Sequence, residues 1–390
     1  MTKKITTALI ASSTLLTVNL VADSLATAFS EGKVSGELKS QYFQKESNNS
    51  ETTSIWTNGG NLSYETGSFY GLTGGVTFQV ASTTAEDLDE LPSAYDGDQN
   101  VSGAVLSQAY LTYTRKNTTA KIGRQYISTP LIAGSGSRIF KESFEAYTVT
   151  NTDLPDTKIM AGLVTKFQGR TDGNEGAPKF NKLGDGVYTI YATNNSVKDL
   201  SLTGQYVKAT DMTTDDKDIT IYYLNGSYDF GAFKLGAQYY GSDDDNTTDT
   251  GYYINNRDGY LYALNASTSI GNLSLGASYS EVSDNGGVSA YNLGNGADYI
   301  YTWSWMYGGV YDADTTAYSI NGAYKFTDKL SANFIHATWE IGNSGKSRET
   351  DVIVDYKFTN ELSARLLYAK LNDNAGFGKY KSRLYLSYKF

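Results

Sequence analysis

The chain has 390 residues, a formal net charge of −10 and no cysteine. Without cysteine, neither disulfides nor thiolate metal sites can form, and an acidic chain without basic stripes is a poor candidate for binding nucleic acid. Its 33 Tyr, 39 Gly and 4 Pro are typical of a protein built mostly of β-strands with aromatic belts.

The N-terminus has the features of a secretory signal peptide. Lys3 and Lys4 precede an apolar stretch over residues 5–22, and Ala26-Thr27-Ala28 follows as an A-x-A site. The pattern predicts a signal peptide over residues 1–28, cleaved after Ala28, and one mature domain over residues 29–390. The alternative, a single membrane helix, is disfavoured because the stretch is short and rich in Ser and Thr.

The rest of the chain divides into about eighteen amphipathic segments of about 9–11 residues, the length of a membrane-spanning strand. Apolar and polar residues alternate along them, as they do over 273–280. We expect these segments to begin near Lys33, Thr53, Phe69, Ala104, Thr118, Ser143, Thr157, Gly186, Leu200, Asp218, Phe233, Arg257, Leu273, Thr315, Lys329, Arg348, Glu361 and Lys379.

Short and long connections alternate between these segments. Short turns fall at 66–68, 154–156, 229–231, 327–328 and 359–360, and longer loops at 82–103, 126–141, 169–185, 241–256 and 283–314. This alternation predicts an all-β fold: a transmembrane antiparallel up-and-down β-barrel with short periplasmic turns, long extracellular loops and both termini on the periplasmic side.

No enzyme site emerges from the sequence. His336 is the only histidine, so a Ser-His-Asp site would have to use it, and alternation places it on the lipid side. Acidic residues crowd three loops, within 86–98, 211–218 and 243–249. They could bind divalent cations, but no EF-hand spacing is present and solvated acidic loops are the simpler interpretation. We expect no enzymatic activity, no metal and no cofactor.

The segment 126–143 is the candidate constriction of the pore. It is unusually apolar for an external loop, so we expect it to fold inward. Folding inward would place its apolar side chains on the wall and present Arg138 and Lys141, next to Ser137, to the pore, where charged side chains set selectivity. The alternative is a loop packed over the rim of the barrel.

The loop 283–314 carries Tyr301, Trp303 and Trp305 at alternate positions. Such a strip could line the mouth of the channel and stack on a solute. The same residues could instead form an additional pair of strands or pack on the rim.

The C-terminal residues 383–390 alternate strictly, and the chain ends on an aromatic residue. Tyr388 and Phe390 therefore lie on the apolar face of a closing strand and predict a C-terminal signal for the barrel-assembly machinery. Tyr-Lys-Phe recurs at 324–326, 356–358 and 388–390, 32 residues apart. We interpret the repeats as the aromatic girdle at the periplasmic end, the alternative being chance repetition in a Tyr-rich chain.

Basic residues on the polar faces predict a basic strip along one wall of the pore, made of Lys39, Lys166, Arg365, Arg383 and Lys389. Arg365 and Arg383 are symmetric about residue 374, so we expect them at similar heights, and barrel closure would bring Lys39 beside Arg383. The strip could guide anions. Alternatively, acids on the same faces neutralise it; these are Glu37, Asp351 and Asp355.

Several segments resemble the OprD-like family of outer-membrane porins. They are Lys121-Ile122-Gly123-Arg124-Gln125, Thr129-Pro130-Leu131-Ile132, Ser137-Arg138-Ile139, Phe144-Glu145 and the stretch from Ala161 to Lys166. The resemblance implies an eighteen-stranded barrel, usually monomeric, with an inward third loop and a ladder of wall cations. It assigns Arg124 and Arg138 to motif positions at the pore constriction and Lys166 to the basic wall. The family often has an acidic residue before the loop arginine, where this chain has Ser137. Arg124 falls on the same face of its strand as the apolar Ile122.

The sequence therefore predicts a channel in the outer membrane of a Gram-negative bacterium. It would take up small hydrophilic solutes passively and with partial selectivity, and we expect these solutes to carry a carboxylate, as amino acids and organic acids do. The alternatives are a non-specific diffusion porin and a surface adhesin or structural barrel with a plugged lumen. The expected partners are solutes, membrane lipid and lipopolysaccharide, and the assembly machinery, with a monomer or a trimer as the assembly.

Overall fold

The computed structural model describes residues 24–47, 50–86, 99–173, 175–211, 218–244, 258–288, 293–296, 300–306, 308–373 and 378–390. Most of the predicted signal peptide and the acidic stretches within 87–98, 212–217 and 245–250 lie outside these residues. A six-residue helix, α1 (Leu25–Ser30), precedes the first strand and includes the predicted cleavage site. Within the described part of the chain, no helix is long and apolar enough to cross a membrane.

Among the described residues, eighteen strands follow α1, as predicted. The first nine are β1 (Lys33–Ser47), β2 (Ser50–Glu65), β3 (Leu72–Glu86), β4 (Gly103–Arg115), β5 (Thr118–Gln125), β6 (Ser143–Asn151), β7 (Thr157–Gln168), β8 (Phe180–Asn194) and β9 (Leu200–Thr210). The others are β10 (Ile219–Asp229), β11 (Lys234–Asp244), β12 (Tyr260–Ile270), β13 (Leu273–Val282), β14 (Thr315–Lys325), β15 (Leu330–Ile341), β16 (Lys346–Lys357), β17 (Leu362–Asn372) and β18 (Gly378–Lys389).

One sheet contains all the strands, and it closes into a cylinder. Each strand pairs antiparallel with its neighbours in the chain, and β1 pairs with β18. The backbones of Gly36 and Phe390 exchange two hydrogen bonds, of 2.9 and 3.1 Å, at this seam. Closure removes the free edges that an open sheet would leave in a membrane. The predicted antiparallel β-barrel is thus confirmed.

The strand β8 begins six residues earlier than predicted, at Phe180 instead of Gly186. Gly184 and Gly186 have positive φ angles of 42° and 118°, and the pairing of β7 with β8 shifts register between Val164 and Lys166. A bulge of this kind interrupts the alternation of side chains. The sequence pattern therefore did not predict the first residues of β8.

The two ends of the barrel differ. At one end, the connections between strands have two to six residues; this is the turn end, and both β1 and β18 have their terminal residues there. The opposite loop end carries the longest connections, 126–142 and 283–314. The turn end corresponds to the predicted periplasmic side.

The outer face of the cylinder is apolar and the inner face polar. On β18, Leu384 and Leu386 are 39% and 44% exposed, whereas Arg383, on the opposite face of the strand, is 5% exposed. The Tyr-Lys-Phe repeats place both of their aromatic rings outward at the turn end, with ring centroids 4.8 Å apart in Tyr324–Phe326. An apolar band with aromatic girdles is what a bilayer requires of a barrel exterior.

Candidate functional site: the passage through the bore

The connection between β5 and β6, residues 126–142, crosses the inside of the barrel; we name it the first inner loop. Lys39 Nζ donates to Gly136 O at 2.9 Å, and Tyr385 OH donates to Ser137 O at 3.0 Å. From another part of the wall, Gln205 Oε1 accepts from Leu131 N at 2.8 Å. These partners belong to β1, β18 and β9, and all point into the bore, so the loop spans it from one wall to another.

Apolar side chains fix the first inner loop against the wall. Leu131, Ile132 and Phe140 are almost completely buried. Ile139 approaches β2 so closely that a Cβ on Gly59 would lie 2.5 Å from Ile139 Cγ2. Glycine at this position lets the loop lie directly on the backbone of the wall.

The connection between β13 and β14, residues 283–314, is named the second inner loop, and its described residues from 300 to 306 also lie in the bore. Tyr301 N donates to Gln238 Oε1 at 3.0 Å, and Asn225 Nδ2 donates to Tyr301 OH at 2.9 Å. Asn225 lies in the half of β10 nearer the turn end. Tyr301 therefore lies deep in the bore, and the expectation that it lines the channel mouth is wrong.

The other two aromatic residues of this strip also have inner partners. Trp303 packs on a large buried cluster that includes Ile300 and residues of the first inner loop. Trp305 N donates to Asp351 Oδ2 at 2.8 Å, and its ring lies over the guanidinium of Arg383. The alternation in the sequence reflects a segment folded into the bore and not a strip at its rim. Tyr299 and Tyr307, which belong to the same pattern, lie outside the described residues.

The two inner loops touch each other. Ala133 N donates to Leu293 O, and Gly296 N donates to Ala133 O, both at 3.0 Å. Glu142, fully buried, accepts from Asn295 N at 2.8 Å and pairs with Arg170 at 3.3 Å. The loops thus form one partition inside the barrel, bonded to strands on several sides.

A cavity of about 260 Å³ remains between this partition and the wall; we name it the passage. It is lined by Gly136 and Ser137 of the first inner loop, Trp305 of the second, and Glu37, Lys39, Asp355, Ser363, Ala364, Arg365, Tyr385, Ser387 and Lys389 of the wall. Larger grooves, of about 740, 520 and 460 Å³, lie among outward-facing side chains. The passage is the concavity that the inner loops and the wall build together.

Charges of both signs line the passage. Lys39 Nζ is 3.4 Å from Glu37 Oε2. Arg365 holds Asp355 through two hydrogen bonds, of 2.7 and 3.2 Å. Lys389 supplies a third cation. Of the two alternatives for the basic strip, neutralisation thus applies to Lys39 and Arg365, whereas Lys389 leaves one positive charge in excess among the lining residues.

Known structures share this architecture. OccK9 (OpdG) of Pseudomonas aeruginosa superposes with a TM-score of 0.77 at 18% identity, covering 93% of this chain and 99% of that one. OccAB4 of Acinetobacter baumannii gives 0.76 at 18%, covering 92% and 98%. OpdK of P. aeruginosa, in a structure with vanillate, gives 0.73 at 16%, covering 93% and 99%.

The chain has the fold of the Occ and Opd porins. The resemblance to OprD-like porins that the sequence motifs carry is confirmed at the level of the fold. No family model matches the sequence, and no curated protein matches it.

Within this Occ-like fold, the pairing of β17 with β18 differs from expectation. Arg365 lies opposite Tyr385, and Arg383 lies opposite Leu367. The pairing is centred on residue 375, not 374, because the turn closes between Asn372 and Gly378. Across the seam, Arg383 faces Phe43, whereas Lys39 faces Ser387. Lys39 and Arg383 thus lie at different heights, and Arg383 is covered by Trp305.

Two residues expected at the pore lie on the outer face. Arg124 shares a groove with Ile122 and Tyr147, and its Nε is 3.8 Å from Glu145. Lys166 Nζ is 2.8 Å from the same carboxylate. The bulge between Val164 and Lys166 reverses the side on which the following residues point. Lys166 is therefore not a wall cation of the bore.

Arg138 and Lys141 lie in the first inner loop near the passage. Arg138 is 8% exposed, and its Nη1 donates to the carbonyl and the hydroxyl of Ser137 at 3.2 and 3.3 Å. The ammonium of Lys141 lies over the Tyr126 ring, 4.1 Å from its centroid. Burial, with the neighbouring charge of Lys39, lowers the pKa of Lys141.

Several residues of the site were missed in the sequence. Gln79 and Gln205 bind the backbone of the first inner loop, and Glu349 joins Asp351 beneath the second. Alternation places Gln79, Gln205 and Glu349 on the inner face, as it does Asp351, but only contacts with the loops distinguish the three missed residues from other polar wall residues. In the part of the chain that the structure describes, no group of three His, Asp or Glu side chains could hold a metal ion.

Proposed function

We propose that this protein is an outer-membrane channel for the passive, partly selective uptake of small hydrophilic solutes that carry a carboxylate. Its mature form comprises residues 29–390 after removal of the signal peptide. The observation that supports the proposal is the passage: a cavity of about 260 Å³, lined by charged residues, inside a cylinder whose outside is apolar. Flux through such an opening follows the solute gradient and needs no cofactor.

The charges of the passage support a preference for carboxylates. Lys39, Arg365 and Lys389 outnumber Glu37 and Asp355 by one. An excess positive charge at a narrow point raises the local concentration of anions. OpdK, a structural neighbour, has been crystallised with vanillate, a carboxylate.

The first inner loop is the constriction in this proposal. Its position between Lys39 and Tyr385 narrows the bore on the side of the passage. Ser137 lines the opening, while Arg138 and Lys141 add positive charge close behind it. The small volume of this cavity supports a selective channel over a general diffusion porin.

Competition between matched solutes tests the carboxylate preference. Benzoate and benzamide have nearly the same shape but differ in charge. With the purified protein in a planar bilayer, benzoate should reduce the ionic current at lower concentrations than benzamide does. Equal effects of the two solutes would reject the carboxylate preference and favour a non-specific pore.

A second candidate is an adhesin or structural barrel with a plugged lumen. The observation that favours it is the partition formed by the two inner loops, which join across the bore through Ala133 and Leu293. A plugged barrel would insert into a bilayer without conducting, so a conductance measurement separates the two functions.

The remaining partners of the proposal follow from its location. The apolar outer face would contact membrane lipid and, in the outer leaflet, lipopolysaccharide. Tyr388 and Phe390, exposed at the closing strand, would serve the barrel-assembly machinery. A monomer or a trimer is compatible with a chain that encloses its own passage.

A further inference from the structure

Two buried carboxylates lie side by side on the inner wall, beneath the second inner loop. Glu349 and Asp351 are two residues apart on β16, so their side chains share the inner face. Both residues are 0% exposed. Neither lines the passage.

The surroundings of this pair are apolar. Ala337, Trp339 and Leu371 form one buried cluster with the side chain of Met306. Ile353 and Leu367 belong to a second one, against which Trp305 and Met306 pack. Carboxylates are costly to bury in such a place unless they receive hydrogen bonds. Their presence therefore calls for a role that apolar residues could not fill.

The pair binds the backbone of the second inner loop. Asp351 Oδ2 accepts from Trp305 N at 2.8 Å, and Glu349 Oε1 accepts from Met306 N. Two successive backbone N–H groups of the loop thus donate to two acids at neighbouring inner-face positions of β16. Each hydrogen bond of this kind makes a favourable net contribution, so the two together attach a segment without regular secondary structure to the wall.

Trp305, held in this way, lines the passage. Its ring lies 4.8 Å from the guanidinium carbon of Arg383 and faces the cavity that contains Arg365 and Lys39. A shift of the loop backbone at residues 305–306 would carry the indole with it. The width of the passage therefore depends on the two acids, although they do not touch it.

We propose that Glu349 and Asp351 are positioning residues that hold Trp305 at the edge of the passage and so set its width. The inference rests on the proposed channel function. Without the pair, the second inner loop moves from the wall, the indole leaves the opening, and the channel conducts more ions with less discrimination between solutes.

The test compares two double variants that carry the same charge. Glu349→Ala with Asp351→Ala removes both acceptors, whereas Glu349→Gln with Asp351→Asn keeps an acceptor oxygen at each position. In planar bilayers, we expect the alanine pair to raise the open-channel conductance by on the order of twofold, since conductance follows the cross-section of the pore. The amide pair should stay near the wild-type value.

A reversible cross-link supplies the rescue. Ser280 Oγ and Thr302 Oγ1 are 2.7 Å apart, and the chain has no cysteine. Ser280→Cys with Thr302→Cys, added to the alanine pair, places two thiols within reach of each other near Trp305. Oxidation should return the conductance toward the wild-type value, and a reductant should raise it again.

Three results would overturn the inference: wild-type conductance in the alanine pair, an equal rise in the amide pair, or no effect of oxidation on the rescue variant. If the alanine pair fails to yield a folded, heat-modifiable barrel, the conductance of Asp351→Ala is compared with that of Asp351→Asn, and a rise only in Asp351→Ala supports the inference. A wild-type protein that does not conduct would contradict the proposed function itself, a result distinguishable from these three.

Discussion

The indole of Trp305 covers the guanidinium of Arg383, with the guanidinium carbon 4.8 Å from the ring centroid. Phe43, across the seam, is at 5.4 Å from the same carbon. Arg383 thus lies between an aromatic residue of the wall and one of the second inner loop. Cation–π contacts of this kind are worth about 0.5–2 kcal/mol, and this one joins the loop to the strand that closes the barrel.

Removing the indole should open the passage. We expect Trp305→Leu to increase the single-channel conductance and to uncover the charge of Arg383, which strengthens the preference for anions. Trp56→Leu is the matched control, because Trp56 is exposed on β2, where it faces outward. The same conductance in Trp305→Leu and wild type would show that the indole does not limit flow.

The ion pair of Arg365 and Asp355 should tune charge selectivity in both directions. Arg365→Gln removes a positive charge from the passage and should shift the reversal potential, measured across a salt gradient, toward cations. Asp355→Asn removes the negative partner and should shift it toward anions. Shifts of the same sign in both variants would contradict a direct effect of passage charge.

Selectivity should also depend on pH through Lys141. Burial and the nearby charge of Lys39 lower the pKa of Lys141, so as pH rises this ammonium loses its proton before an ordinary lysine, whose pKa is about 10.4. The anion preference should therefore fall as pH approaches that range. Lys141→Arg should keep its anion preference over the same pH range, because the guanidinium stays protonated. Lys141→Met should show a weaker anion preference that does not fall as the pH rises. An unchanged pH profile in Lys141→Met would refute this assignment.

The wall glutamines should anchor one inner loop each. The Gln79 amide exchanges two hydrogen bonds of 2.8 Å with the backbone of Lys141. Each such buried hydrogen bond contributes about 1 kcal/mol, so Gln79→Leu should loosen the first inner loop by roughly 2 kcal/mol. Limited proteolysis should then cleave within 126–142. Gln238→Leu, which releases Tyr301, should direct cleavage to 283–314 instead, and identical cleavage patterns would show that the anchors are not specific.

The ring of Phe390 should contribute more to assembly of the barrel than to the pairing of β1 with β18. Phe390→Ala keeps both backbone hydrogen bonds to Gly36 and removes the exposed ring. We expect several-fold less heat-modifiable barrel in the outer-membrane fraction, with Phe390→Tyr close to wild type. Normal amounts of folded Phe390→Ala would mean that Phe390 carries no assembly signal.

The strands were predictable because each one shows its own alternation. On β18, for example, the apolar Leu384 and Leu386 alternate with Arg383 and Tyr385, so the pattern can be recognised within one segment. Every strand is under the same constraint, because one of its faces contacts lipid and the other faces the bore. Bulges break the pattern locally. The one at residue 165 places Lys166 on the outer face, where strict alternation does not put it.

Relations between segments were less accessible from the sequence. The height of Arg365 relative to Arg383 depends on where the turn after Asn372 closes, which symmetry about residue 374 did not capture. The depth of Tyr301 depends on its contacts with Asn225 and Gln238, residues more than 60 positions away. Such contacts arise only after the cylinder has closed.

The proposed channel function requires a continuous water-filled passage beside the two inner loops. Single-channel recording of the purified, heat-modifiable protein in a planar bilayer shows whether such a passage conducts ions. We expect discrete, reproducible current steps with a preference for anions. Folded barrel that inserts into the bilayer and produces no current steps would contradict the proposed channel function.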